Sequence, residues 1–124
     1  MVKNQTSILI VDDQKIFCSA MEILLKKIGY EPKSVNNGYD AIEEVKKNPK
    51  DLIFLDVTMP GIDGIETLKK IKEIKNDQIV VMLTARGDVE TVTKLLKEGA
   101  DDYIQKPIKD LELLRILNSA NKSG

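Results

Sequence analysis

Four short apolar runs in this chain each stop at a polar residue. They are Ile8-Leu9-Ile10-Val11 before Asp12-Asp13, Leu52-Ile53-Phe54-Leu55 before Asp56, Ile79-Val80-Val81-Met82-Leu83 before Thr84, and Tyr103-Ile104-Gln105 before Lys106. Runs this short and apolar, set between longer helical patterns, read as buried strands of a parallel sheet. In open α/β sheets, ligands bind just beyond the carboxyl ends of the strands, where side chains converge in a crevice. If the four strands lie side by side, that rim gathers three carboxylates, a hydroxyl and one ammonium. Such a set suits a divalent cation and a phosphoryl group.

Between the runs lie five amphipathic stretches. The first spans about 14–28, with Phe17, Ala20, Leu24 and Ile28 expected on one side and Gly29 as its stop. The second spans about 39–47, ahead of Asn48-Pro49. The third follows Asp63-Gly64 and carries Ile65, Leu68 and Ile71. The fourth spans about 89–97, with Val92 and Leu96 expected inward and Gly99 as stop. The fifth follows Lys109-Asp110 and places Leu111, Leu114 and Leu117 on one side. Strand and helix alternate five times across short joints. The pattern predicts a parallel sheet with right-handed crossovers and helices on both faces.

Strand order is also legible. The first, third and fourth runs are almost purely apolar, so both of their faces should be covered and they belong in the centre. The second strand, at 30–35, contains Pro32 and Lys33, and proline belongs on an edge because it donates nothing to a ladder. The fifth is short and follows Asp101-Asp102, another edge signal. The expected fold is therefore a flavodoxin-like (βα)5 doubly wound sheet with order 2-1-3-4-5. With no repeat, linker or low-complexity segment, residues 1–124 read as one domain.

Composition excludes several functions. With 19 basic and 20 acidic residues the net charge is -1, which offers no basic stripe for direct nucleic-acid binding. The lysine pairs at 26–27, 46–47 and 69–70 fall on polar helix faces and read as solvated. The single cysteine, Cys18, excludes an intramolecular disulfide and fits a reducing cytoplasm. With no histidine in the chain it has no partner for catalysis or metal binding, so packing is its expected role. No stretch approaches the roughly 20 apolar residues that span a bilayer, and residues 1–7 are too polar for a signal peptide.

The rim chemistry can be read residue by residue. Asp12, Asp13 and Asp56 in one crevice repel one another unless a cation compensates them, and Mg²⁺ suits a site of few carboxylates and several waters. Capping of the following helix explains one of the adjacent aspartates, but not the second, and not Asp56, which opens a loop. A nucleotide phosphate is disfavoured, because Asp12-Asp13-Gln14 replaces the glycines of a phosphate-binding turn. Asp56 precedes Val57-Thr58-Met59-Pro60-Gly61-Ile62-Asp63-Gly64, whose proline and glycines fix a tight loop. An aspartate held there beside a metal can attack phosphorus and carry an acyl phosphate. Lys106 and the Thr84 hydroxyl can then serve phosphoryl oxygens, and the small Ala85 leaves room.

These segments closely resemble the receiver domain of two-component response regulators. The resemblance runs from Ile8 to about Ala120. It rests on Ile8-Leu9-Ile10-Val11-Asp12-Asp13, on Leu55-Asp56 through Asp63-Gly64, on Met82-Leu83-Thr84-Ala85, and on Gly99-Ala100-Asp101-Asp102-Tyr103-Ile104-Gln105-Lys106-Pro107. It implies that Asp56 is the phosphoacceptor. It further implies that Asp13 binds Mg²⁺ directly, Asp12 chiefly through water, and Thr58 through its backbone carbonyl. Thr84 and Lys106 would hold phosphoryl oxygens, Tyr103 would be an aromatic switch, and Lys106-Pro107 would be a cis peptide. Thr58 and Arg86 would border the phosphoryl group.

The implied function is a phosphorylation-activated switch, not an enzyme with turnover of its own. Its phosphodonor would be a sensor histidine kinase or a histidine phosphotransfer protein. Its output would pass to a target protein, or to a second copy, through the face of helix 4, strand 5 and helix 5, where helix 5 carries more leucine and isoleucine than one buried stripe requires. The chain reads as a stand-alone receiver of the chemotaxis or sporulation-relay kind, or equally as a receiver cut from a longer regulator. A Mg²⁺-dependent phosphohydrolase with an aspartyl nucleophile is the enzymatic rival. Such hydrolases place nucleophile and general acid two residues apart, whereas Asp12 and Asp13 are adjacent. An interaction module with a vestigial pocket is a third reading, opposed by the complete residue set.

Overall fold

The computed structural model describes residues 6–123, with side chains from 6 to 120. Residues 1–5 of the polar start therefore lie outside the described residues, as does Gly124. Strands β1 (Ile8–Val11), β2 (Lys33–Val35), β3 (Leu52–Asp56), β4 (Ile79–Thr84) and β5 (Asp102–Gln105) form one sheet. All pairings are parallel and the order is β2-β1-β3-β4-β5, as the sequence predicts. Helices α1 (Lys15–Ile28), α2 (Gly38–Lys47), α3 (Gly64–Ile74), α4 (Val89–Lys97) and α5 (Asp110–Ser123) alternate with the strands. The second strand begins later than the expected residue 30. Tyr30 turns into the core after the Gly29 cap, and ladder pairing starts only past Pro32, which has no N–H to give.

Successive strand residues point to opposite faces, and this builds two cores. Leu9, Val11, Ile53, Leu55, Val80 and Met82 meet α2, α3 and α4 through Ala41, Val45, Leu68, Ile71 and Leu95. Ile8, Ile10, Leu52, Phe54, Val81 and Leu83 meet α1 and α5 through Cys18, Met21, Leu25, Leu113, Ile116 and Leu117. The central strands are thus covered on both sides, which is why they read as continuous apolar runs.

Three helices bury a different stripe from the one expected. In α1 the buried residues are Cys18, Met21 and Leu25; Phe17 and Leu24 are half-buried at the margin, while Ala20 and Ile28 are exposed. In α4 the buried residue is Leu95, with Leu96 exposed and Val92 half-buried. In α5 Leu113 and Ile116 join Leu117 inside, while Leu111 is 82% and Leu114 39% exposed. Each helix carries apolar residues at two helical phases, so spacing alone does not choose the face. The chosen phase is the one that meets the sheet.

Helix starts are set by side chains that satisfy free backbone donors. Asn37, Asp63 and Asp88 cap α2, α3 and α4 by accepting from the N–H groups of Asp40, Glu66 and Thr91. Gly64 is required for space: a Cβ there would lie 2.2 Å from the Asp56 carbonyl oxygen and 2.7 Å from Val57 Cα. The α3 start and the end of β3 are therefore pressed together, which fixes where Asp56 emerges.

Candidate functional site

Pleat alternation brings the charged residues to one side of the rim. Asp12, Asp56 and Lys106 follow the phase of Ile10, Phe54 and Ile104, which face α1 and α5. Registers Val11↔Leu55 and Asp56↔Leu83 then set Asp12 beside Asp56. Carboxylate oxygens of Asp12, Asp13 and Asp56 all lie within 4.8 Å of one another. Lys106 Nζ stands 2.7 Å from Asp12 Oδ2 and 3.3 Å from Asp56 Oδ1. It also lies 4.3 Å from the centroid of the Phe17 ring. Asp12 is fully buried, Asp56 nearly so, and Asp13 exposed at the mouth. Asp13, Asp56 and Lys106 line a cleft of about 430 Å³ together with Gln14, Val57, Thr58, Thr84 and Ala85, and the buried Asp12 carboxylate stands behind it against Lys106.

Three carboxylates face one ammonium, and the imbalance appears in their acidity. Burial first, and the Asp12 charge next, push the Asp56 carboxyl up to about 6, although Lys106 pulls the other way. Burial also opposes the charge on Lys106, but its hydrogen bond to Asp12 and the charge of Asp56 outweigh it, so its pKa is raised. The cluster is a set of hard oxygen donors that lacks positive charge, with two carboxylates buried and one, Asp13, exposed. That donor chemistry fits a small divalent cation. Asp12 also holds the turn between β1 and α1, since its Oδ1 accepts from the N–H of Gln14, the residue before the helix, at 2.9 Å. One Asp12 oxygen thus braces the turn into α1 while the other meets Lys106 in the site.

Thr84 has the other phase. It follows Val80 and Met82 toward α4, and its hydroxyl closes a ring with Arg86, donating to the carbonyl and accepting from the N–H, both at 2.9 Å. Thr84 therefore lines the cleft with its hydroxyl engaged away from Asp56. Tyr103 shares this phase and is half-buried against the α2–α4 core, while Gln105 donates to the Ala85 carbonyl at 3.5 Å. Thr58 is exposed at the cleft wall, and the Lys106-Pro107 peptide is cis.

Two participants escaped the sequence reading. Phe17 was expected to pack inward; it lies half-buried under Lys106. Its signal is an aromatic in the first turn after Asp12-Asp13. Asn36 donates to the Asp12 carbonyl at 2.9 Å. The predicted pairing of β1 with β2 already places the residue after β2 beside the residue after β1.

A doubly wound sheet whose carboxyl rim holds an acidic cluster, a lysine and a threonine has the form of a signalling receiver. The chain belongs to the response regulator receiver domain family, whose sequence model matches residues 8–118. It is 40% identical over 116 residues to the transcriptional regulatory protein ZraR of Klebsiella oxytoca, covering 94% of this chain and 26% of that protein. The chain thus spans about a quarter of the length of ZraR. It is 37% identical over 112 residues to the chemotaxis protein CheY of Bacillus subtilis, covering 90% of this chain and 93% of that one. Among solved structures it superposes on the CheX–CheY–BeF3–Mg²⁺ complex of Borrelia burgdorferi with a TM-score of 0.86 and 29% identity, covering 92% of this chain and 87% of that one.

Proposed function

We propose that the chain is a phosphorylation-activated switch in which Asp56 accepts a phosphoryl group from a phosphohistidine on a sensor kinase or phosphotransfer protein. One observation carries this reading: Asp56, Asp12, Asp13 and Lys106 meet in a single cleft at the strand ends. The Borrelia CheY, solved with BeF3 and Mg²⁺, supports it by likeness. Asp12, Asp13, Asp56 and the Thr58 carbonyl would hold Mg²⁺, which when bound supplies positive charge to the phosphoryl oxygens. An Asp56 carboxylate oxygen attacks phosphorus, the P–N bond to the donor imidazole breaks, and the acyl phosphate forms with Lys106 beside it. The Thr84 hydroxyl, released from Arg86, supplies a further donor, and Tyr103 turns into the space it leaves.

The output face is built from α4, β5 and α5, where Leu111 and Leu114 are exposed beside a cleft lined by Tyr103, Gln105, Lys106, Lys109 and Glu112. A target protein or a second copy would bind there. We read the chain as a regulatory domain without substrate turnover, working in the cytoplasm; among the described residues no helix is long and apolar enough to cross a membrane. A second reading concerns its setting. Because the match covers only 26% of ZraR, the chain is equally read as the receiver of a longer regulator with an effector domain.

The test is intact-mass measurement after incubation with acetyl phosphate and Mg²⁺. One phosphoryl group is expected, labile to hydroxylamine and absent in Asp56→Asn. Equal labelling of that variant would move the acceptor elsewhere.

A further inference from the structure

The two aspartates that leave β1 are joined by one peptide group, and that group is held from outside the acidic cluster. Its oxygen, the Asp12 carbonyl, accepts from Asn36 Nδ2 at 2.9 Å and from the Cys18 thiol at 3.4 Å. The Asn36 amide also lies 3.7 Å from Cys18 Sγ, so the two donors converge. On the other side, the Asp12 N–H donates to the Val35 carbonyl at 3.2 Å. Asn36 belongs to the joint between β2 and α2, and Cys18 to the buried face of α1. Three elements thus close on one residue of the rim.

A peptide group is planar, so fixing its carbonyl fixes the ψ of Asp12 and the φ of Asp13 together. Those two torsions decide where each carboxylate points relative to the other. Mg²⁺ accepts little departure from octahedral geometry, so its affinity depends on that aim, and groups that orient ligands from behind commonly matter as much as the ligands themselves. We propose that Asn36, assisted by Cys18, is a positioning residue for the cation site, setting the relative aim of the Asp12 and Asp13 carboxylates by clamping the carbonyl between them. This rests on the reading that those carboxylates hold Mg²⁺. It also gives Cys18 a second role beside packing, as the weaker of two donors.

The test is an NMR titration with magnesium chloride of the parent, Asn36→Ala, Asn36→Leu and Cys18→Ala. Asn36→Leu keeps the side-chain bulk and removes the donor. In the metal-free Asn36 variants, the carbonyl ¹³C resonance of Asp12 and the amide ¹⁵N resonance of Asp13 are expected to move. The apparent Mg²⁺ dissociation constant should rise about tenfold, the scale of lost support behind a metal ligand. Cys18→Ala should raise it less. Labelling by acetyl phosphate at saturating Mg²⁺ should stay within about twofold of the parent, so that the loss appears in metal demand and not in capacity. Unchanged affinity in Asn36→Leu, or an Asp12 carbonyl that does not move, overturns the proposal. If the parent itself binds no Mg²⁺, the metal reading fails instead, and with it the positioning role. Should the variants fail to fold, the Asn36 side-chain amide in the unmodified protein decides: it should shift with Mg²⁺ at the midpoint seen for Asp13, and stillness there overturns the clamp.

Discussion

Replacing Asp56 with asparagine should stabilise the metal-free protein at neutral pH. Burial and the Asp12 charge hold the folded carboxyl at about 6, whereas an unfolded aspartate titrates near 3.9. A gap of about two pH units corresponds to about 3 kcal/mol. Below about pH 4 both states carry the proton, and Asp56 exerts no penalty. Between about 4 and 6 the unfolded chain ionises first, so the folded state loses stability as pH rises. Above about 6 the penalty is complete. Asparagine has the same size, and its carbonyl oxygen can still accept from Lys106, now 3.3 Å from Asp56 Oδ1, so no cavity or lost bond offsets the gain. Urea and thermal denaturation of both proteins in chelator, from pH 4 to 8, would measure it. The gap should be near zero at pH 4 and about 2–3 kcal/mol at pH 7.5, with each kcal/mol moving the melting temperature by about 3–5 °C. Mg²⁺ at ten times its dissociation constant should return about 1.4 kcal/mol to the parent and less to the variant. A gap independent of pH, or a variant no more stable at pH 7.5, refutes the reasoning.

Three further outcomes are expected. Glu44→Ala should cost about 3 kcal/mol in urea denaturation, because it strands the buried Lys50 charge now 2.9 Å from Glu44 Oε2. Bonds from Lys33 and then Lys50 lower the Glu44 pKa to about 2, so its contribution should be intact above about pH 4.3 and fade as pH falls toward 2. Gly64→Ala should cost about 1–3 kcal/mol and weaken Mg²⁺ binding by calorimetry, since the new Cβ must push the Asp56 carbonyl from 2.2 Å. A beryllofluoride mimic with Mg²⁺ should shift the Tyr103 ring resonances, and Thr84→Ala should weaken that shift; unchanged signals at saturated Asp56 would sink the coupling.

Element types and strand order were legible because the central strands, buried on both faces, leave unbroken apolar runs that end at the rim. The candidate site was legible for the same reason: Asp12, Asp56, Thr84 and Lys106 each mark where an apolar run stops. Helix phase was less legible. In α1, Phe17, Ala20, Leu24 and Ile28 and the buried Cys18, Met21 and Leu25 have equally good helical spacing, and the sheet decides between them. The orientation of Thr84 was not legible either. Pleat phase turns it to the α4 side, and its bonds to Arg86 depend on a loop conformation that residue identity does not fix. Nor does spacing within β1 disclose Asn36, whose contact with Asp12 crosses from one strand end to the next.

The same imbalance that makes Asp56 a burden in the resting protein makes the cleft responsive. Lys106 divides its charge between Asp12 at 2.7 Å and Asp56 at 3.3 Å, and neither pairing neutralises the cluster. A cation that enters relieves the repulsion, so its binding is favoured by destabilisation already present in the fold. On the proposed reading, phosphorylation then removes the free Asp56 carboxylate and adds anionic oxygens at the same place. Those oxygens compete with Asp12 for Lys106 and with the Arg86 backbone for the Thr84 hydroxyl. Both competitions start from hydrogen bonds of ordinary length, so a difference of a few kcal/mol is enough to redirect them. Thr84 and Tyr103 share one pleat phase on adjacent strands, and Met82 pairs with Tyr103 in the register beside them. On the proposed reading, a displacement of Thr84 would reach Tyr103 across a single strand pair, toward the face where Leu111 and Leu114 stand exposed.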